Sequence, residues 1–226
     1  MALNIVEKID DAVQVKHVLL SVSDKTGLDV FVPRLLAACP DVKLYSTGGT
    51  YTALEKILSP EQAKRNLVSV SDYTGQPEMQ GGLVKTLDFK IYLGLLSETY
   101  NPAHQKDLVR TDAVALDMVV VNLYPFKQTI AKPDVTPEAA RTNIDIGGPC
   151  MVRASAKNYL RVASVTDPSD YSRIADELKA SGGKISLATR FGLMRKAFTH
   201  TAEYDTAIAT YFCATEFAKV DACYVK

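Results

Sequence analysis

Short apolar strands that end in turns of hydroxyl and glycine residues are the feature of this sequence that most constrains its fold. The first strand, residues 18–22, is an apolar run with β-branched residues, which is typical of a strand buried on both faces. Apolar residues then recur at helical spacing from Leu28 to Leu36, with Pro33 inside the pattern, so this helix either starts late or is kinked there. The turn between the two elements contains Ser23, Asp24, Lys25, Thr26 and Gly27.

This turn has two interpretations. A strand, a polar turn and a helix N-terminus direct backbone N–H groups at one place that favours an anion, and Lys25 adds a formal charge. The alternative is an ordinary strand-to-helix turn with a capping residue. A second strand, residues 42–45, favours the anion site because it runs into a similar turn, and parallel strands place such loops along one edge of a sheet. We therefore predict a phosphate pocket that also includes Thr47, Gly48, Gly49 and Thr50.

Polar residues also follow the clearest buried strand in the chain. Residues 117–121 lead to Asn122 and Tyr124, where Pro125 stops further strand pairing. Tyr124 is therefore either a residue of the same sheet edge or a core aromatic whose hydroxyl is satisfied. Lys85, in a stretch of mixed polarity, is either a substrate contact or a solvated lysine.

A later turn brings an acidic residue toward the same edge. Asp145 lies between two isoleucines, so its carboxyl is either desolvated or turned into a cleft. Residues 147–149, Gly-Gly-Pro, suit a tight turn and the start of a helix. Because Lys157 belongs to that helix, we expect Asp145 and Lys157 to lie near one another.

Strands and helices alternate along almost the whole chain, which predicts an α/β fold: a mostly parallel sheet with helices on both faces. Ser186 is expected to cap a long C-terminal helix that reaches residue 212, with aromatic residues in the core and His200 as a structural histidine. Further strands are expected at 67–70 and 161–165, a loop at 71–78, and helices at 101–110, from 138, and at 167–180. The domain would span 16–212, between a polar lead-in (1–15) and a tail (213–226).

Composition excludes several classes of function. Lysine plus arginine and aspartate plus glutamate both number 26, so no net charge attracts nucleic acid or an anionic membrane. No apolar run approaches the roughly 20 residues of a membrane span, and residues 1–8 do not read as a signal peptide. The four cysteines are scattered and there are three histidines, which favours reduced thiols in a cytoplasmic protein over a metal site or disulfides.

Six motifs in the same order resemble those of inosine monophosphate (IMP) cyclohydrolase: residues 21–27, 46–50, 84–87, 122–126, 143–148 and 156–158. Residues 196–202, with Tyr204 and Asp205 after them, resemble the last helix of that family. The resemblance implies a methylglyoxal-synthase-like fold, a homodimer and closure of the second purine ring, in which 5-formamidoimidazole-4-carboxamide ribonucleotide gives IMP and water. It implies no metal and no organic cofactor. In most relatives this enzyme is the N-terminal half of a bifunctional protein, and no formyltransferase domain is expected here, so a separate AICAR formyltransferase is a candidate partner.

The resemblance also implies which residues act. Asp145 and Lys157 would manage the proton of the carboxamide nitrogen and the protonation of the departing oxygen, while Lys85 and Tyr124 would stabilise the oxyanion. The substrate would contact residues at the strand ends and the following turns: Ser23, Asp24, Lys25, Thr26, Gly27, Thr47, Gly48, Gly49, Thr50, Val84, Thr86, Val121, Asn122, Ile146 and Gly147.

Three positions depart from the family pattern. Leu83, Asp88 and Tyr159 stand where relatives usually have arginine, histidine and histidine. Leucine cannot donate a hydrogen bond or carry a charge, so another cation such as Lys90 is a candidate to replace the arginine. Two other functions use the same fold: an allosteric nucleotide-binding module, and methylglyoxal synthase.

Overall fold

The computed structural model describes residues 5–77, 79 and 85–225. Its centre is a parallel five-stranded sheet in the order β4-β3-β2-β5-β6, which confirms the predicted fold class. The strands of the described chain are β1 (Ala12–Gln14), β2 (His17–Val22), β3 (Lys43–Ser46), β4 (Leu67–Ser69), β5 (Met118–Asn122), β6 (Ala163–Val165) and β7 (Lys184–Ser186).

The sheet separates two hydrophobic cores. Leu20 and Val120 face one core, whereas Leu19 and Val119 face the other, because successive side chains of a strand point to opposite faces. All four are fully buried, which explains why β2 and β5 appear in the sequence as continuous apolar runs.

Helices cover both faces of the sheet. The first core is packed by α1 (Leu28–Ala38), α2 (Gly48–Ile57) and α10 (Tyr171–Ser181), and the second by α5 (Phe89–Leu96), α9 (Gly147–Lys157) and α11 (Leu187–Ala214). The other helices are α3 (Pro60–Asn66), α4 (Val70–Thr74), α6 (Pro102–Arg110), α7 (Phe126–Ile130), α8 (Pro137–Thr142) and α12 (Phe217–Asp221), with a 3₁₀ turn at Pro168–Asp170.

The long C-terminal helix begins as predicted. The Ser186 hydroxyl accepts a hydrogen bond from the backbone N–H of Thr189, and α11 then runs for 28 residues. Its end lies at Ala214, two residues beyond the predicted one, and α12 lies in the segment predicted as a tail.

Two local predictions were wrong. The segment before residue 16 contains β1, which pairs antiparallel with β7; three residues are too few to show a strand period, and the partner is distant in sequence. The segment predicted as a loop after β4 begins with α4, because the Ser69 hydroxyl caps it by accepting from the N–H of Asp72. Of the two alternatives for α1, the late start is excluded, since the helix begins at Leu28 and contains Pro33 in its interior.

Candidate active site

A cleft of about 540 Å³ opens where β2, β3 and β5 end and α9 begins. This is the edge at which ligands bind in open parallel sheets. The structure brings to this cleft most of the residues that the sequence singled out: Ser23, Lys25, Thr47, Gly48, Gly49, Thr50, Lys85, Thr86, Asn122, Tyr124, Asp145, Ile146 and Gly147.

One half of the cleft is built around the N-terminus of α2. Thr47, the residue before the helix, makes no side-chain cap to it. The Lys85 Nζ lies 3.3 Å from where a Cβ on Gly48 would be, and the Lys25 Nζ lies 3.8 Å from the corresponding point on Gly49. Two ammonium groups therefore lie close to the N-terminus of a ten-residue helix, and this arrangement suits a phosphate.

Two polar side chains hold this half together. The Thr50 hydroxyl accepts a hydrogen bond from the Val22 N–H and donates one to the Val22 carbonyl, both at 3.1 Å. The Asn122 Oδ1 accepts from the N–H groups of Ser23 and Asp24 at 2.7 and 2.8 Å, and its Nδ2 donates to the Asp24 carbonyl at 2.7 Å. Thr50 and Asn122 thus fix the loop after β2 through its backbone.

The other half contains Asp145, whose carboxylate is held at the start of α9. Its Oδ1 accepts from the Gly148 N–H at 2.8 Å. Burial raises the pKa of the Asp145 carboxyl, and the N–H groups of Gly148 and Tyr124 oppose that shift by hydrogen bonding to it. A Cβ on Gly148 would collide with this carboxylate and with Leu123, so the turn requires glycine.

Tyr124 and Thr86 complete this half. The Tyr124 side chain is 52% exposed, so it is a residue of the cleft and not a core aromatic. Thr86 Oγ1 lies 2.6 Å from where a Cβ on Gly147 would be. Because Lys85 and Thr86 are adjacent, this dipeptide joins the α2 half of the cleft to the α9 half.

The structure contradicts the expected nearness of Lys157 to Asp145. Lys157 is the last residue of α9 and is exposed, whereas Asp145 precedes the first residue, Gly147. The eleven residues of α9 make ten steps of about 1.5 Å, so the two ends of the helix are about 15 Å apart. Lys157 therefore does not line the cleft of its own chain.

Other predicted substrate contacts also lie outside the cleft lining. Val121 is buried in β5, and Gly27 adopts a positive φ of 76° at the start of α1. The Asp24 carboxylate accepts hydrogen bonds from the Thr26 N–H and hydroxyl at 2.9 and 2.6 Å, so these two side chains are paired with each other. Val84 lies outside the described residues, as does Leu83.

The remaining departures from the family pattern have structural roles. Asp88 caps α5 by accepting from the Lys90 N–H at 2.7 Å, and the Tyr159 ring packs edge-on against Phe191. The Lys90 ammonium donates to the Tyr73 carbonyl at 3.2 Å and does not line the cleft, so the expectation that it replaces the missing arginine there was wrong.

Sequence reasoning placed Tyr204 of α11 in the core and among the residues that resemble the family's last helix, but gave it no part in the site. Tyr204 is indeed buried, but its hydroxyl contacts the backbone of Asp145. Its position in a helical apolar pattern gave no signal of this contact. His200, on the same helix, is half-buried and lines a neighbouring cavity that shares Ser23, Asn122 and Tyr124 with the cleft.

Within the described residues, no group of three or more histidine, cysteine, aspartate or glutamate side chains is arranged to hold a metal ion. In the same part of the chain, no helix combines the length and apolarity needed to cross a membrane.

The sheet, its helices and the cleft at the strand ends define the class of protein. The family model described as "MGS-like domain" matches residues 30–150, and the chain belongs to this family. A second model, "AICARFT/IMPCHase bienzyme", matches residues 155–225, which confirms the resemblance carried by the six motifs.

Curated relatives of this chain include bifunctional purine biosynthesis proteins PurH. The protein from Leptospira biflexa is 47% identical over 200 residues, 88% of this chain, and that from Synechococcus sp. is 47% identical over 201 residues, 89% of this chain. The chain spans 37% of the length of each relative. Among solved structures, "Crystal structure of ForH" matches with a TM-score of 0.75 at 29% identity, covering 88% of this chain and 97% of that one.

Proposed function

We propose that this chain is an IMP cyclohydrolase, which closes the second purine ring of 5-formamidoimidazole-4-carboxamide ribonucleotide to give IMP and water. The observation that carries the proposal is the division of one cleft into two chemically different halves. Lys25 and the N-terminus of α2 suit a phosphate, while Asp145 and Tyr124 offer proton-transfer and hydrogen-bonding groups, with Lys85 where the two halves join. The PurH names of the relatives support a role in purine biosynthesis.

The rate of this reaction depends mainly on how the two reacting groups are positioned. An amide nitrogen is a poor nucleophile and a formamide carbonyl a poor electrophile, but both belong to one molecule. Holding them in contact therefore supplies much of the rate. Lys25 and the helix N-terminus on the phosphate would anchor one end of the substrate, so that the folded imidazole end occupies the other half of the cleft.

Asp145 is the proposed base that accepts the proton of the carboxamide nitrogen. Its raised pKa brings the carboxylate closer to the basicity that such a transfer requires, and two N–H groups fix its direction. Attack of the nitrogen on the formyl carbon pushes electrons onto the formyl oxygen. Lys85 and Tyr124 would stabilise that oxyanion. It leaves as water after taking up two protons, the one that Asp145 removed from the carboxamide nitrogen and one that the formamide nitrogen releases as the new C=N bond forms.

The substrate already carries a formyl group, so a formyl-transfer reaction must precede this step. A formyltransferase, on another chain or in a longer form of this one, is therefore the proposed partner activity. The name of the AICARFT/IMPCHase family model is consistent with that pairing.

Incubation of the purified protein with the formamido ribonucleotide tests the proposal. The expected result is an ultraviolet absorbance change that matches hypoxanthine formation, with IMP as the product on chromatography. Binding of the nucleotide without turnover would instead indicate an allosteric module of the same fold. Release of methylglyoxal from a triose phosphate would indicate a methylglyoxal synthase. Either outcome would contradict the proposed activity.

A further inference from the structure

We propose that Tyr204 is a positioning residue that sets the relative position of the two loops carrying Tyr124 and Asp145. The inference rests on the proposed function, because it gives Tyr204 a part in the same reaction. Tyr204 itself does not need to touch the substrate, since it would act through the carboxylate of Asp145.

The hydroxyl of Tyr204 holds one of these loops. It accepts a hydrogen bond from the Asp145 N–H at 2.8 Å and donates one to the Asn143 carbonyl at 3.3 Å. Tyr204 is 7% exposed, so water has little access to either bond. A single buried oxygen therefore bridges the turn that leads into α9.

The ring of Tyr204 contacts the other loop. It packs against Phe126, which follows Tyr124 by two residues, with the rings nearly edge-on and their centroids 6.2 Å apart. Phe126 is itself buried, so this contact is rigid. One side chain from α11 thus touches both loops, by its ring on one and its hydroxyl on the other.

This double contact bears directly on the Asp145 carboxylate. The Gly148 N–H, in its own turn, donates a hydrogen bond to it at 2.8 Å, and the Tyr124 N–H, in the other loop, also lowers its pKa. If either loop moves, the carboxylate loses one of these N–H groups and with it part of its stabilisation as an anion. Tyr204 is therefore the residue through which α11 controls the proposed base.

The chain offers a matched control on the same helix. Tyr211, seven residues on, also packs edge-on against Phe126, with centroids 6.1 Å apart. Among the hydrogen bonds of the described chain, none joins its hydroxyl to the Asp145 turn. Tyr204→Phe and Tyr211→Phe thus remove the same atom from two rings that both pack on Phe126, and only the first removes a bond to Asp145.

The experiment compares kcat, KM and the pH profile of kcat for the two variants, together with the pKa of the Asp145 carboxyl measured by NMR. Tyr204→Phe should lower kcat about tenfold, as expected for one lost hydrogen bond, and leave KM unchanged. It should also raise the pKa of the carboxyl and move the acidic limb of the profile to higher pH. Tyr211→Phe should change none of these.

Wild-type values for Tyr204→Phe, or equal shifts in both variants, would overturn the positioning role. A wild-type protein without turnover would contradict the proposed function only, because the NMR comparison tests Tyr204 without turnover.

Discussion

Charged side chains lie at both ends of the central strands, and the two ends differ in the groups that these charges contact. At the amino ends, Asp117 accepts hydrogen bonds from the N–H groups of Lys16 and His17, both at 2.9 Å, and pairs with Arg161 at 3.2 Å. Asp117 and Arg161 are both buried. The guanidinium also donates to the backbone carbonyls of Gly94, Ser97 and Leu116.

At the carboxyl ends, the charged groups border a cleft. Lys25 is an exposed residue whose ammonium lies beside Gly49 and donates long hydrogen bonds to the carbonyls of Val22 and Ser23, at 3.5 and 3.4 Å. The Asp145 Oδ1 accepts from the Gly148 N–H, and Asp145 lines the cleft. The comparison shows one sheet using charge in two ways. Charges enclosed by protein partners fix the fold, whereas charges that face an open volume are available to a ligand. Substitutions at the two ends should therefore change different measured quantities.

The largest expected effect is on activity, from Asp145→Asn. Loss of the proposed base should lower kcat by about 10²- to 10⁴-fold. The same variant should be more stable than wild type near neutral pH, because it removes a buried carboxylate whose pKa is raised.

The sign of the stability effect can be checked by thermal unfolding at several pH values. A carboxyl with a raised pKa in the folded state loses its stabilising contribution as the pH rises through that value. The stability difference between the variant and wild type should therefore grow from acid to neutral pH. An Asn variant that unfolds more easily across this range would show that Asp145 serves the fold instead.

The next effect is on stability, from Arg161→Met. It leaves the Asp117 carboxylate buried without its cation, which should cost about 3–5 kcal/mol in the free energy of unfolding. The double variant Asp117→Asn/Arg161→Met should recover part of that loss, and turnover per folded molecule should stay near wild type. Denaturant unfolding with kinetics on the folded fraction measures both. If Arg161→Met lowered kcat and left stability unchanged, the claim that charges at the amino ends serve the fold would be contradicted.

The sequence predicted most of this fold because the main elements are encoded locally. The apolar runs of β2 and β5 and the serine cap of α11 are visible within a few residues. The three-residue β1 and the Asp117–Arg161 pair depend on partners far along the chain, so no local pattern could reveal them.

The site was predictable to a similar degree. The turns after β2 and β3 were expected to meet because parallel strands end at one edge, and they do. Lys157 was misplaced because it lies on the helix that the Asp145 turn opens, and this was taken to mean nearness. The length of that helix already implies a separation of about 15 Å. The role of Tyr204 was missed because a tyrosine ring can pack in the core while its hydroxyl forms a hydrogen bond to the site, and the sequence pattern reports only the ring.

The smallest expected effect is that of Lys157→Ala. In a single chain this lysine is exposed and remote from Asp145, so kcat should stay within about threefold of wild type. The measurement is steady-state turnover at several protein concentrations. A loss comparable to that of Asp145→Asn would mean that Lys157 acts in the cleft of a second chain, and would support the predicted homodimer.

The most direct test of the two-part cleft compares wild type and Lys25→Met on two substrates, the formamido ribonucleotide and the corresponding ribonucleoside without phosphate. If Lys25 serves only the phosphate, the variant should lose about ten- to a hundredfold in kcat/KM on the ribonucleotide, as expected for a charge-assisted contact. It should match wild type on the ribonucleoside. Equal losses on both substrates, or no loss on the ribonucleotide, would contradict the division of the cleft into a phosphate half and a reacting half.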